Sequence, residues 1–286
     1  MDRRDMIKKA IAGAGIIATG KVVADATVSK PVDIVGFNHL PEKKELAMGN
    51  IILHKSSDRG HANHGWLNSF HSFSFASYYN PDKMHFGVLR VLNDDTVAPG
   101  MGFGTHPHDN MEIISIPLDG DLEHKDSMGN TTVIRQGDIQ VMSAGTGIRH
   151  SEYNKNKDKE VKFLQIWLFP NKKGVTPRYD QISLDPAQRN NTLQQVLSPS
   201  ADDEGVWIHQ DAWFHMGRFD AGKGADYSIR KSGNGVYAFV IKGTFTVNGQ
   251  QLDARDAAGI TAADTILLTA NTAGAEILLM DIPMTI

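Results

Sequence analysis

Short runs of β-branched and aromatic residues, repeatedly broken by glycine-bearing turns, dominate the chain from about Asn50 onward. FGVLRVL, EIISIPL, TTVIRQ, DIQVMS and VKFLQIWLF follow one another with DG, GN, GD and GTG between them. No stretch there holds a long 3.6-residue period, so the pattern predicts closely spaced antiparallel strands in a sandwich or small barrel. A polar, proline-bearing segment (NKKGVTPRYDQISLDPAQRNNTLQQVLSPSADDEG) then interrupts, and reads as a connection with one short helix. Strand texture returns in VWIHQ, WFHMGRF, GVYAFVIKG, TFTVNG, TILLTA and EILLMDI.

The two β regions share a weak internal repeat. Around Gly120 and again around Gly243, a glycine precedes an alternating strand, an N-G or G-N turn, a second strand, then an Asp and a further strand. Repetition at that scale predicts a duplicated barrel. The expected layout is an export signal over 1–24, a lead-in over 25–49 and a first barrel over 50–175. A connection over 176–205 and a second barrel over 206–286 follow.

Bulk composition narrows the function. The 286 residues are 41% hydrophobic and 22% charged, with a net charge of −4, which gives no support to a nucleic-acid-binding surface. Cysteine is absent, so thiolate ligands and a cysteine nucleophile are excluded, and any metal must be held by imidazole and carboxylate. At the N-terminus, Arg3 and Arg4 precede a short, mildly apolar run, AIAGAGIIATG, and a small-residue exit at Ala24. That order resembles a twin-arginine export signal, predicting a periplasmic or exported protein, with a cytoplasmic one bearing an amphipathic N-terminal helix as the alternative. The run is too short to span a bilayer stably.

Histidine spacing carries the chemistry. In THPHDNME, His106 and His108 share a face if the segment is extended, and Pro107 biases His106 that way. In HSEYN, His150 and Glu152 repeat the spacing. Two such pairs on neighbouring strands converge inside a barrel, and three imidazoles with one carboxylate suit Fe(II), Mn(II), Ni(II), Cu(II) or Zn(II). Glu112 matches the parity of His106 and His108, so strand parity alone leaves Glu112 and Glu152 both open as the carboxylate. The other histidines read differently. His61, His64 and His71 are expected to bond backbone carbonyls beneath the barrel, His124 to be hydrogen-bonded on its strand, and His209 and His215 to be structural or at the surface. Phe86, Phe103 and Met111 are candidate pocket walls, equally explained by core packing, and His85 is a candidate at the pocket mouth. GMGFG and GTG precede strands, which makes them turns.

The segment from Gly100 to His108, with Glu112 and Gly120, resembles the first cupin motif, and Gly137, Gly145, His150 and Asn154 resemble the second. Ser143 stands where proline is usual, and the gap from Gly145 to His150 is longer than usual, departures that the pirin branch shares. HGWLNSFHSFSFASYYNP, FGVLRVLNDD, GFGTHPHDNMEI, LEHKDSMGN and MSAGTGIRHSE are similar to pirin segments, densely from Ile51 to Pro170 and more weakly to the C-terminus.

The resemblance implies an all-β fold of two cupin-type jelly-roll barrels in tandem, a bicupin, with metal in the N-terminal barrel only. It carries the ligands to His106, His108, His150 and Glu152, leaves Glu112 beyond the ligands or bracing a neighbouring strand, and puts iron(II) first among the metals. It further implies quercetin 2,3-dioxygenase activity on a flavonol-like aromatic and O2, with Glu152 as candidate base. Its alternative is an iron-dependent redox sensor that binds a protein partner. A monomer is expected. Counting along the repeat places Ile229, Lys231 and Leu268 where the second barrel would need ligands, so that copy is expected to be metal-free.

Overall fold

The computed structural model describes residues 48–286; the expected signal over 1–24 and nearly all of the lead-in fall outside them. Twenty-two strands and two short 3-10 turns make up the regular structure of the described residues. The first half holds β1 (Asn50–His54), β2 (Gly60–Asn63), β3 (Leu67–His71), β4 (Leu89–Val97), β5 (Gly102–His108), β6 (Glu112–Asp119), β7 (Leu122–Asp126), β8 (Thr131–Ile134), β9 (Asp138–Ser143), β10 (Ile148–Asn154), β11 (Val161–Leu168) and β12 (Arg178–Ser183). The second holds β13 (Leu193–Ser198), β14 (Val206–Trp207), β15 (Trp213–Phe219), β16 (Gly224–Ser228), β17 (Asn234–Lys242), β18 (Phe245–Val247), β19 (Gln250–Leu252), β20 (Ala257–Thr261), β21 (Thr265–Ala270) and β22 (Ala275–Pro283).

Each half builds a seven-stranded and a four-stranded sheet. The large sheets run β12-β9-β6-β11-β4-β3-β2 and β1-β20-β17-β22-β15-β13-β14, and the small ones β5-β10-β7-β8 and β16-β21-β18-β19. The orders correspond strand for strand except at one edge, where β2 is antiparallel to β3 but β14 is parallel to β13, so the duplication read from the Gly120 and Gly243 segments is real. Both glycines follow the equivalent strand, β6 or β17, in a left-handed conformation (φ 77° and 74°).

Side-chain parity explains why the central strands are apolar on both faces. Along β17, Tyr237 and Phe239 enter one core, while Val236, Ala238 and Val240 enter another. The first of these cores lies between the two large sheets, where Ile114, Ile116, Leu164 and Ile166 meet Phe214, Phe239, Leu278 and Met280. The second fills the C-terminal barrel. The interior of the N-terminal barrel has a smaller apolar cluster, Leu67, Val97, Leu122, Ile134, Val161 and Phe163, which leaves room for polar chemistry.

The expected domain boundaries need correction. β1 precedes the N-terminal barrel but pairs with β20 of the C-terminal one, Asn50 opposite Thr261. β12 precedes the C-terminal barrel but pairs with β9 of the N-terminal one, Arg178 opposite Ser143. The segment that leads into each barrel thus adds a strand to the other barrel's large sheet. The 176–205 segment is no plain connection, since it supplies both β12 and β13, and its short helix is only the 3-10 turn Pro186–Arg189. Asp256 fastens the end of β1, accepting from the Ser56 amide (2.7 Å) and from Lys55.

Candidate metal centre

β5 is the edge strand of its sheet, which is where Pro107, lacking an N–H, is tolerated. It pairs with β10 so that His106 lies opposite His150 and Ile148 opposite His108. A bulge then places Glu152 opposite Phe103, so Phe103 and His106, three residues apart, both reach the same cavity. One ring nitrogen each from His106, His108 and His150 lies within 4.8 Å of the other two, and these residues are the one such metal-competent group found among the described residues.

The protonation chemistry fits a cation. His106 Nδ1 donates to the Gly104 carbonyl (2.8 Å), which fixes that tautomer and leaves Nε2 as an acceptor. His108 Nε2 and both His150 nitrogens are buried without a hydrogen-bond partner in the protein. Burial, reinforced by the neighbouring imidazoles, pushes His108 down to about 4 and His150 to about 3, so both are neutral at pH 7 with lone pairs free. Two buried neutral imidazoles with unmatched nitrogens, beside a third whose Nδ1 is already engaged, are a donor set that suits a divalent transition metal. Trp167 packs edge-on against His108 at 4.8 Å, and His124, bonded to Asp126 (3.1 Å), sits beside His150.

Glu152 stands next to this trio but is engaged elsewhere. Gln165 Nε2 donates to both its oxygens (3.0 and 2.9 Å), and Ser115 Oγ donates to one (3.1 Å). Glu112 departs from its expected place near the ligands. It accepts from Ser143 (2.6 Å) and from the His209 backbone, with Arg178 nearby, and burial pushes it up to about 7. It shares a face of β6 with Ile114 and Ile116, toward the core between the sheets, whereas Ile113 and Ser115 face the barrel interior. Glu112 therefore braces β9, the alternative role that its sequence position allowed.

A cavity of about 580 Å³ opens beside the histidines, with His106 and Glu152 in its wall. Trp66, Leu67, Phe75, Phe103 and Trp167 line it with apolar surface. Phe103 is thus a wall residue as expected. Phe86 is not, because it packs against Tyr237 between the sheets, and Met111 joins Ile113 and Met142 in a separate cluster. His85 is tied locally to the Gly87 carbonyl (2.9 Å). His64 and His71, expected to be structural, line the cavity, together with Ser69, Asn93 and Asp95, which drew no attention in the sequence. Their signal was there: Ser69/His71 and Asn93/Asp95 repeat the two-residue spacing of His106/His108. In the C-terminal barrel the strand equivalent to β10 is β21, whose Ile266, Leu268 and Ala270 enter an apolar core.

Known proteins match this arrangement at every level. Residues 53–168 match the Pirin family model and residues 195–282 the Quercetinase C-terminal cupin domain. A quercetin 2,3-dioxygenase of Escherichia coli K12 is 44% identical over 233 residues, 82% of this chain and 99% of the relative. A pirin-like protein of Caulobacter vibrioides is 41% identical over 78% of this chain and 95% of its own. Among solved structures, the bacterial pirin YhhW of E. coli in complex with nickel(II) aligns with a TM-score of 0.77 at 43% identity, covering 82% of this chain and 99% of that one. A quercetin 2,3-dioxygenase of Acinetobacter baumannii, 20% identical, shares the fold (TM-score 0.66, 83% and 88% covered). With its paired barrels, its histidine trio and 44% identity along almost the whole length of a curated relative, the chain belongs to the pirin family as a metal-binding bicupin.

Proposed function

We propose that this protein is a metal-dependent dioxygenase that opens the central ring of flavonols such as quercetin. The observation that carries the reading is the aromatic-walled cavity with His106 and Glu152 in its lining. Support comes from relatives named for that activity, one of them 44% identical. In this reading His106, His108, His150 and Glu152 hold one divalent metal, with iron(II) the first candidate and nickel supported by the E. coli relative. The metal supplies Lewis acidity and a meeting point for flavonol and dioxygen.

The chain's own residues do the rest. Trp66, Phe103 and Trp167 hold the planar rings and keep water away. Glu152, steadied by Gln165 and Ser115, takes the proton of the flavonol hydroxyl; a positioned base is worth about 10²–10⁴ in rate. His108 and His150, kept neutral by burial, do not compete for that proton. The decisive experiment is oxygen uptake with quercetin by protein stripped and reloaded with Fe(II), then with Mn, Ni, Cu and Zn. Wild type is expected to consume oxygen and release the ring-opened product, with His106→Ala and Glu152→Ala each at least about 100-fold slower. Stoichiometric metal binding through these residues without oxygen uptake would overturn the enzyme reading and leave redox-dependent partner binding.

A further inference from the structure

The cavity has a second polar face that the ligand set does not use. Strands β3 and β4 set Ser69 opposite Asp95 and His71 opposite Asn93. On the next strand Gln165, the residue holding Glu152, lies opposite Asn93. A row of polar side chains thus leads from Glu152 across Gln165 to Asn93 and Asp95, inside a cavity otherwise walled largely by aromatic and aliphatic groups. Diagonal neighbours in a sheet are about 7–8 Å apart, so Asp95 stands within the reach of one multi-ring ligand that also touches Glu152.

These groups are deeply buried and incompletely matched. Ser69, His71, Asn93 and Asp95 are all 4% exposed or less. Asn93 Oδ1 and His71 Nδ1 have no hydrogen-bond partner in the protein. Ser69 Oγ donates to one oxygen of Asp95, orienting a carboxyl group whose remaining lone pairs can accept further bonds. Buried polar atoms are nearly always paired, so adjacent unmatched groups on a cavity wall point to a ligand that supplies the missing partners. Asn93 and Asp95 are two acceptors on one face of one strand, matched by a ring bearing two neighbouring hydroxyl donors.

We propose that Asn93 and Asp95 form a specificity subsite that accepts hydrogen bonds from a dihydroxyphenyl ring, selecting flavonols that carry one over flavonols with a bare phenyl ring. The subsite rests on the flavonol reading above and names the ring that this cavity prefers. Asn93 and Asp95 are positioning residues, Ser69 sets the carboxylate, and His71 completes the polar face.

The test is equilibrium binding of quercetin and of galangin, which differs from it only in a bare phenyl ring, to nickel-loaded protein under nitrogen, so that no turnover intervenes, followed by quenching of the cavity tryptophans Trp66 and Trp167. Wild type is expected to bind quercetin at least about tenfold more tightly, because a site built to bond a hydroxyl rejects the analogue lacking it. Asp95→Leu and Asn93→Leu should each reduce that preference to within about threefold. General damage to the cavity would weaken both ligands together and leave the ratio unmoved. Asn93→Leu alone carries the test if Asp95→Leu does not fold. A wild-type ratio near one, or one unchanged in the folded variants, overturns the subsite, as does failure of both flavonols to bind. A preference that is present and lost in the variants, without oxygen uptake in the aerobic assay, upholds the subsite and overturns only the dioxygenase reading.

Discussion

Replacing Glu112 by Gln offers a quantitative check on the placement of that residue. Its carboxyl sits between β6 and β9, and desolvation raises it from 4.5 to about 7, against the opposing pull of Ser143, the His209 amide and Arg178. An acid raised on folding favours the folded state fully at low pH, and that contribution fades as pH climbs from 4.5 through about 7. At about 1.4 kcal/mol per tenfold change in proton affinity, the ionised carboxylate costs about 3 kcal/mol at pH 8. Glutamine mimics the protonated form and carries no such cost. The stability of Glu112→Gln relative to wild type should therefore rise by about 3 kcal/mol between pH 4 and pH 8. Urea unfolding in EDTA across that range measures it, and the comparison between pH values cancels any hydrogen bond lost at all pH values alike. Nickel binding, followed by calorimetry, should survive in this variant, while His150→Ala loses it. A pH-independent difference, or loss of nickel by Glu112→Gln, would refute the assignment of Glu112 to the core between the sheets.

The packing and the acid limb yield two more tests. A Cβ on Gly259 would come within 2.6 Å of the Phe86 ring, so Gly259→Ala should lower stability by about 1–3 kcal/mol in thermal unfolding and be partly rescued by Phe86→Leu. His215 is pushed down to about 4 by burial and then by Arg230, so its contribution is whole above pH 6.5 and lost as pH falls toward 4. His215→Gln should accordingly flatten the acid limb of the stability curve by up to about 3 kcal/mol, and an unchanged limb would place the acid sensitivity elsewhere.

Much of this molecule was legible because β patterning reports burial directly. EIISIPL and GVYAFVIKG read as strands, and both proved to be apolar on both faces, sandwiched between cores. The H-x-H and H-x-E pairs carried enough periodicity to place His106, His108 and His150 on facing strands. Where the reading stopped, partnership was at stake. Alternation identifies a strand but not its neighbour, so NIILH and RYDQIS gave no hint that they join opposite barrels. Glu112 shares parity with His106 and His108 only if the chain stays extended. It does not, because Asn110 turns left-handed (φ 43°) and Glu112 begins a strand in the other sheet. Asn93 and Asp95 passed unremarked since polar residues in a strand ordinarily face solvent, and only the three-dimensional closure of the barrel turns that face inward.

The lent strand β1 has a consequence for the making of the protein. Asn50 leaves the ribosome long before its partner Thr261, and at about 5–20 residues per second the interval is on the order of 10–40 s. During that time Ile51, Ile52 and Leu53 form an unpaired, apolar edge, the kind of template on which nascent chains adhere to one another. Holding factors acting on the first fifty-odd residues should therefore govern yield, and charged substitutions at the outward Ile52, 60% exposed even in the finished fold, should improve it at little cost to the mature protein.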